Sequence, residues 1–361
     1  MPGNHARISP SALSRTFACP GSVQLSEGQP DSTSEAAELG TKLHSIAEYM
    51  LIHGTVPPDW ESLTHEQCGW VQTYVDECER IGSECSVSEV EAKVVITDDS
   101  WGTVDYAAVH IEKKIAYVVD FKSGVMPVSP AADQMKAYGA GVTEKYDFLE
   151  IETVHLIIVQ PRVYDEPQVY RASSDELRQF KKSLLKLTDR VNHPRPDFKT
   201  GDHCRFCRAA AICTVAFEEA AAPLALDPED VAITDLGAVM DKIDHMKRFV
   251  KAVEQRVRSD LTSGATVAGY KLVKGRGRRS WNVGVDDIEG LLSGIFESEA
   301  YEKKWISVAQ AEKKLGRRVF EESELAECVS TSDGAPTVTT ESDPRPALID
   351  EDVFEDIGEI E

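Results

Sequence analysis

Two aspartates and a lysine at strand spacing form the clearest chemical pattern in the chain. Asp120 and Lys122 close an apolar run, and alternate residues of a strand project to the same face. Asp105 lies in the preceding strand-like run and can come beside Asp120 if the two strands pair antiparallel. Carboxylate oxygens suit Mg²⁺ or Mn²⁺. The pattern fits metal-assisted cleavage of a phosphodiester bond, with Lys122 orienting the attacking water. The alternative is a surface ion pair on an exposed strand.

Further polar side chains can complete such a site. His44, in a helical segment, could join the two carboxylates as a metal ligand, with the carbonyl of Phe121 as an extra oxygen ligand. Glu91, in the first strand-like run, could belong to the same cluster. Gln134 and Tyr138 are four residues apart in a helical segment and therefore share a face, where they could hold a phosphate or a base. Each of these residues taken alone is more often structural.

Four cysteines form a second candidate site. Cys204, Cys207 and Cys213 have the spacing C-x₂-C-x₅-C, and Cys19 is the candidate for a fourth ligand. Thiolates suit both an iron–sulfur cluster and zinc, and the spacing alone favours structural zinc over a cluster. Unligated thiols are the remaining alternative. Either metal centre would close a very long loop and would therefore have a structural role.

A mixed sheet flanked by helices is expected to position these side chains. Apolar periodicity predicts helices at 36–53, 68–82, 131–143 and 175–192, and strands at 89–96, 102–109, 115–121, 154–159 and 168–172. The order is α–β–β–β–α–β, which predicts an α/β fold.

The composition is that of a soluble globular protein, with 42% hydrophobic and 28% charged residues among 361. No apolar run is long enough for a membrane helix, and no apolar signal core is present near the first residue, so we expect a cytoplasmic protein with reduced thiols and no membrane partner. The net charge of −23 argues against indiscriminate coating of DNA but leaves room for a local nucleic-acid site.

Changes in composition predict four segments. Residues 1–219 form the catalytic domain with its four-cysteine clasp, 220–230 is an Ala- and Pro-rich linker, 231–320 is a basic α+β appendage, and 321–361 is an acidic, disordered tail. The tail alternates apolar and acidic residues near its end and could dock on a single-strand-binding or annealing protein. The alternative for the tail is a purely solvating role.

A basic, glycine-rich ribbon in the appendage is a candidate nucleic-acid contact. Its cations would contact the backbone and an adjacent aromatic side chain would stack on a base. The residues are Lys274, Arg276, Arg278, Arg279 and Trp281. The alternative is a solvated hairpin.

Taken in order, these motifs resemble the RecB-like branch of the PD-(D/E)XK nucleases over roughly residues 9–215. The matching elements are Gly-x-x-x-His44, Glu91, Gly-Thr-Val-Asp105, Asp120-Phe-Lys122 and Gln134-x-x-x-Tyr138. The resemblance implies a restriction-endonuclease-like α/β fold and a metal site formed by the residues matching His44, Asp105 and Asp120. It also implies that Lys122 is the catalytic lysine.

The one-plus-three cysteine set is similar to that of the iron–sulfur nucleases such as AddB. This resemblance implies that Cys19, Cys204, Cys207 and Cys213 bind a four-iron, four-sulfur cluster that joins the two ends of the domain, with zinc as the alternative. Segments at 269–273, 309–316 and 341–346 resemble a phage-encoded RecB-like family of undefined function.

These resemblances lead to an expected function. We expect a Mg²⁺-dependent deoxyribonuclease, an exonuclease acting on single-stranded or free-ended DNA in phage replication or recombination inside an infected bacterial cell. The alternative from a different class is a non-cleaving DNA-binding or recombination scaffold on the same fold. A zinc-stabilised adaptor acting through its acidic tail is a third hypothesis, but it leaves the carboxylate pattern unexplained.

Overall fold

The computed structural model describes residues 6–29, 35–222, 236–271 and 308–321, together with residues 323, 326 and 329. The chain divides into two units, Met1–Val273 and Lys274–Glu361. The candidate catalytic residues and the four clustered cysteines all belong to the first unit. The basic ribbon and most of the acidic tail lie outside the described residues.

A five-stranded mixed sheet is the centre of the first unit. Its strands are β1 (Val87–Thr97), β2 (Ser100–His110), β3 (Ile115–Phe121), β4 (Thr153–Val159) and β5 (Gln168–Ser173). They are arranged in sequence order, with β3 and β4 parallel and the other neighbours antiparallel. Helix α5 (Asp133–Lys145) makes the crossover that the parallel pair requires. The predicted mixed α/β sheet and its element order are confirmed.

Helices cover both faces of this sheet. In chain order they are α1 (Leu13–Ala18), α2 (Gly21–Ser26), α3 (Glu35–His53), α4 (His65–Glu84), α5, α6 (Ser174–Asn192), α7 (Thr214–Ala221) and α8 (Leu236–Thr262). Apolar residues of α3 and α4, such as Leu43 and Tyr74, pack with Phe121 on one face. Residues of α5 and α6, such as Met135 and Leu177, pack on the other face. The residues of the candidate active site therefore sit on a core that is buried on both sides.

Local signals explain where two of these helices begin and end. Thr64 and Gln67 form a capping box, because each side chain accepts a hydrogen bond from the other residue's backbone N–H. The box starts α4 at His65, three residues before the predicted start. Gly54 ends α3 with a φ of +67°, and its N–H donates to the carbonyl of Met50 at 2.8 Å.

Helix α5 lies unusually close to the sheet. A Cβ atom on Gly141 would be 2.8 Å from Cβ of Val94, and one on Gly139 would be 2.9 Å from Cδ2 of Leu156. Two glycines on the inner face of the helix thus allow the backbone to approach the strands. This approach carries the first turns of α5, with Gln134 and Tyr138, toward the ends of β2 and β3.

Helix α8 belongs to the first unit, which differs from the predicted boundary at 220–230. Phe249 of α8 meets Phe217 of α7 with ring centroids 5.7 Å apart. Arg248 pairs with Asp202, and His245 Nδ1 lies 3.6 Å from Glu219 Oε2. The structure therefore groups α8 with the cysteine region rather than with the appendage, because its apolar and charged side chains contact that region.

The described part of the second unit contains two short helices, α9 (Val308–Leu315) and α10 (Arg317–Glu321). Gly316 separates them with a φ of +80°. Across the part of the chain that the structure describes, no helix combines the length and apolarity needed to cross a membrane.

Candidate active site and cysteine cavity

Strand pairing places the two candidate catalytic aspartates side by side. Tyr106 pairs with Val119 in the antiparallel β2–β3 ladder, so the next residues along are Asp105 and Asp120. The N–H of Phe121 donates a 2.8 Å hydrogen bond to Asp105 Oδ2. The antiparallel pairing expected from the sequence is confirmed.

Lys122 and Asp120 form a buried ion pair. Lys122 Nζ lies 2.7 Å from the buried Oδ2 of Asp120. Burial raises the pKa of Asp120 to about 6, although the charge of Lys122 opposes the rise. Burial favours the neutral form of Lys122, but the charge of Asp120 outweighs it and raises the pKa of the lysine. Carboxylate oxygens such as those of Asp120 are suitable ligands for a hard cation.

Helix α3 brings His44 to the same carboxylates. His44 Nδ1 lies 3.4 Å from Asp105 Oδ2, and its ring centroid is 5.3 Å from that of Phe121. Burial would lower the pKa of His44, but the hydrogen bond and charge of Asp105 outweigh it, so the pKa is raised. Metals bind the neutral imidazole, and therefore a cation and a proton compete at this ring.

Gln134 and Tyr138 reach the carboxylates from α5. Gln134 Nε2 lies 3.4 Å from Asp120 Oδ1 and 3.4 Å from the Tyr138 hydroxyl. Burial raises the pKa of Tyr138, so the phenol stays neutral and can donate a hydrogen bond. Gly102 makes room for this ring, since a Cβ there would be 3.0 Å from Tyr138 Cε1.

Glu91 lies opposite Asp105 in an unusual backbone conformation. Its neighbours pair as Val90 with Tyr106 and Ala92 with Val104, while Glu91 itself has a φ of +51°. Positive φ is uncommon for a residue other than glycine and is often retained at functional sites. Burial raises the pKa of Glu91 to about 7, and the charges of Asp105 and Glu48 add to the rise.

The structure thus brings together the seven residues of the predicted active site. Within its described residues, however, no group of three or more His, Cys, Asp or Glu side chains is arranged so that it could hold a metal ion as it stands. Lys122 lies 2.7 Å from an oxygen of Asp120, and His44 lies 3.4 Å from an oxygen of Asp105. A role for the Phe121 carbonyl as a ligand stays a prediction.

The four motif cysteines line one cavity. Cys19 is buried and the other three are half-buried. Burial raises the pKa of the Cys19 and Cys204 thiols. The cavity is bounded by Cys19, Ser22, Leu25, Phe198, Lys199, Thr200, His203, Cys204, Cys207, Ala210, Cys213, Val215 and Ala216. The predicted one-plus-three set is therefore assembled, and its four thiols suit an iron–sulfur cluster or zinc.

Backbone contacts already join the two ends of this region. The N–H of Lys199 points to Cys19 Sγ at 3.5 Å, and the N–H of Gly21 donates to the carbonyl of Asp197 at 2.9 Å. A Cβ on Gly21 would be 2.6 Å from the Phe198 ring, so only glycine fits without rearrangement. A metal centre would reinforce contacts that the polypeptide makes by itself.

Two residues near the active site were not expected from the sequence. Gln160, which is 2% exposed, binds backbone groups of the segment that follows Lys122. Arg162 lies over the Trp70 ring, 4.7 Å from its centroid, and donates to the carbonyl of Ser123 at 3.2 Å. A polar residue directly after the apolar strand β4 was the available signal for Gln160. No local pattern relates Arg162 to Trp70.

The comparisons with known proteins come from a solved structure and from a family model. A protein from Eubacterium rectale described as a "Putative exonuclease" has 13% sequence identity and a TM-score of 0.33, over 55% of this chain and 86% of that chain. A likeness at this level carries no argument about function. The model of a family described as "Protein of unknown function (DUF2800)" matches residues 5–346. The chain therefore belongs to the DUF2800 family.

Proposed function

We propose that this protein is a Mg²⁺- or Mn²⁺-dependent nuclease that hydrolyses phosphodiester bonds in DNA, acting as an exonuclease on a single-stranded or free end. The observation that carries the proposal is the convergence of Asp105, Asp120 and Lys122 at the end of the paired region of β2 and β3. The two adjacent carboxylates and the ring of His44, 3.4 Å from Asp105 Oδ2, support a cation site there. Gln134 and Tyr138 on α5 are neutral hydrogen-bond donors beside the same carboxylates.

The residues divide the chemistry among them. His44, Asp105 and Asp120 would hold the cation, which when bound polarises the phosphate and acidifies a water molecule. Lys122 stays protonated beside Asp120 and can orient the water and stabilise negative charge that develops on the phosphate. Gln134 and Tyr138 can hold the strand by hydrogen bonds to its phosphate or base.

We also propose that the cysteine cavity holds a four-iron, four-sulfur cluster, with zinc as the alternative. The four thiols line one cavity, yet no three of these described cysteines form a group that could hold a single ion as they stand. Thiolates suit both centres, and the resemblance of the one-plus-three set to that of the iron–sulfur nucleases favours the cluster. Its role would be structural, because the cavity joins α1 and α2 to the segment near residue 200.

DNA is the proposed partner, and two contacts remain predictions because they lie outside the described residues. The basic ribbon from Lys274 to Trp281 would contact the DNA backbone, and the acidic tail would bind a single-strand-binding or annealing protein. Charge reversal of the ribbon should weaken DNA binding and flatten its salt dependence. Binding with an unchanged salt slope would leave the ribbon a solvated hairpin.

Digestion of labelled linear DNA tests the proposal. Wild-type protein, prepared anaerobically, should degrade single-stranded or free-ended DNA in the presence of Mg²⁺, and a chelator should stop the reaction. Asp120→Asn preserves the side-chain shape but removes the charge, so cleavage should fall by about a hundredfold or more while DNA binding persists. The control is Glu152→Gln, which changes an ion-paired carboxylate that is 70% exposed.

Two outcomes would contradict the proposed nuclease activity. Equal cleavage by wild type and Asp120→Asn would exclude this site as the source of activity. Absence of cleavage of every single- and double-stranded DNA by wild type with its metals loaded would favour the non-cleaving scaffold. A visible absorption spectrum and metal analysis of the same preparation distinguish the cluster from zinc.

A further inference from the structure

The segment between β3 and α5 presents two neighbouring apolar side chains to solvent beside the candidate catalytic lysine. Val125 is 62% exposed and Met126 is 53% exposed, only three and four positions after Lys122. Single exposed apolar residues are common on protein surfaces. Two adjacent exposed apolar residues that follow the candidate catalytic lysine in an ordered segment are a candidate contact for the substrate.

Gln160 holds this segment in place. Its Nε2 donates to the carbonyls of Gly124 and Met126 at 2.8 and 2.7 Å, and its Oε1 accepts from the N–H of Val128 at 3.0 Å. Three of the four hydrogen-bonding positions of this buried amide are therefore used on the backbone around the apolar pair. Ordering the segment before a ligand arrives lowers the entropy cost of binding.

A cation is held close to the same segment. Arg162 is exposed, and its guanidinium lies 4.7 Å from the centroid of the Trp70 ring and donates to the carbonyl of Ser123. Within the described residues it has no carboxylate partner. A guanidinium held against an aromatic ring retains further N–H donors, and its geometry suits a phosphate.

We propose that Val125 and Met126 contact a nucleobase next to the reacting phosphate, and that Arg162 binds a neighbouring phosphate, so that the site selects an unpaired strand. The faces of bases in a duplex are covered by stacking, whereas an unpaired base can lie on an apolar surface. Arg162 thus offers a contact for a phosphate, and Val125 and Met126 offer an apolar contact for a base. The inference rests on the proposed function for the reaction at Lys122, and it adds the residues that recognise the strand.

Binding without cleavage tests this inference in full-length Asp120→Asn protein. The probes are a short oligothymidylate strand and a strand of the same length that lacks its bases. The double change Val125→Ser and Met126→Ser should weaken binding of the strand with bases by about tenfold and leave binding of the abasic strand unchanged. The control is Val169→Ser, at a 48% exposed valine on β5, which should change neither affinity.

Arg162→Gln should have the complementary effect. Both strands should bind more weakly by the same factor, and the salt slope of binding should decrease by about 0.7, as for one lost contact with a phosphate of a single strand. An unchanged slope would overturn the assignment of Arg162. The two variants thus separate contact with a base from contact with a phosphate.

Gln160→Glu tests the positioning role of the amide, since a carboxylate cannot donate to the two carbonyls. It should weaken binding of the strand with bases and leave binding of the abasic strand unchanged, as the double change at Val125 and Met126 should. Equal loss for the two strands in the Val125→Ser, Met126→Ser protein, or no loss for either, would overturn the base contact. If wild type binds the strand in a base-dependent way but does not cleave it, the nuclease proposal is refuted and this inference is supported. If wild type cleaves DNA without base-dependent binding, the nuclease proposal is supported and this inference is refuted.

Discussion

The backbone N–H of Phe121 donates a hydrogen bond of 2.8 Å to Asp105 Oδ2. The bond joins the end of β3 to the carboxylate of β2, and the same oxygen lies 3.4 Å from His44 Nδ1 on α3. One carboxylate thus links two strands and a helix. The backbone hydrogen bond orients this carboxylate.

Asp105→Asn should separate this structural link from the proposed chemistry. The amide oxygen can still accept from the N–H of Phe121, so the melting temperature should change little. The charge that attracts a cation is lost, and cleavage of labelled DNA should fall by about a hundredfold or more. Rates and melting curves of the same preparations provide both measurements.

A matched control for this change is Asp98→Asn, because Asp98 is an exposed carboxylate at the turn between β1 and β2. It should leave both the rate and the melting temperature unchanged. Unfolding of Asp105→Asn would show that the charge, rather than the hydrogen bond, holds β2 to β3. Full activity would remove Asp105 from the catalytic set.

The sheet and the pairing of its aspartates were predictable because they depend on local patterns. The strand-like runs at 102–109 and 115–121 are separated by a short turn, which leaves an antiparallel neighbour as the simple arrangement. That arrangement puts Asp105 beside Asp120. Period-two projection then places Lys122 with Asp120, and the observed 2.7 Å contact agrees.

Other features depend on contacts that no local pattern contains. The stacking of Arg162 on Trp70 joins residues far apart in sequence, and the bonds of Gln160 depend on the parallel pairing of β3 with β4. Glu91 adopts a positive φ although it is neither glycine nor asparagine, the residues that usually do so, and its residue type therefore does not predict this conformation. The Ala- and Pro-rich stretch before α8 predicts a segment boundary there, whereas the packing of α8 on α7 is a tertiary property.

Two glycine substitutions should have opposite effects on stability. In Gly141→Ala the new methyl group would be 2.8 Å from Cβ of Val94, an atom that cannot move without the strand, so the protein should lose about 1–3 kcal/mol. Gly69 lies in α4, and no atom of the described residues comes within 4 Å of the place where its Cβ would lie, so Gly69→Ala should stabilise by about 0.5–1 kcal/mol. Urea denaturation measures both. Equal effects would mean that α5 does not pack this closely on the sheet.

The cysteine cavity predicts a selective effect of serine substitution. Cys204→Ser should remove iron and visible colour and lower the melting temperature by several degrees, because the clasp between α1–α2 and the segment near residue 200 is lost. Cys68→Ser should do neither, since Cys68 lies on α4 and does not line the cavity. Stoichiometric zinc without iron in anaerobically prepared wild type would exclude the cluster, and an unchanged melting temperature in Cys204→Ser would exclude the clasp.

The raised pKa of Glu91 predicts that wild type and Glu91→Gln differ in stability by an amount that depends on pH in metal-free buffer. Burial, followed by the charges of Asp105 and Glu48, raises its pKa from 4.5 to about 7 in the folded protein. Below pH 4.5 the side chain is neutral in both states, and between the two values the folded protein holds a proton that the unfolded chain releases. Wild type therefore loses stability as the pH rises through this window, whereas Glu91→Gln does not. The variant should be the more stable protein above pH 7, and its advantage should vanish toward pH 4.5.

Urea denaturation with a chelator, at several pH values across that window, measures this difference. Glu112→Gln is the control, because Glu112 is an exposed glutamate in the turn between β2 and β3 and should show no such trend. A difference between wild type and Glu91→Gln that stays constant with pH would mean that Glu91 does not titrate in this range. A wild type that is the more stable protein above pH 7 would mean that its carboxylate gains more from a partner than it loses by lying near Asp105.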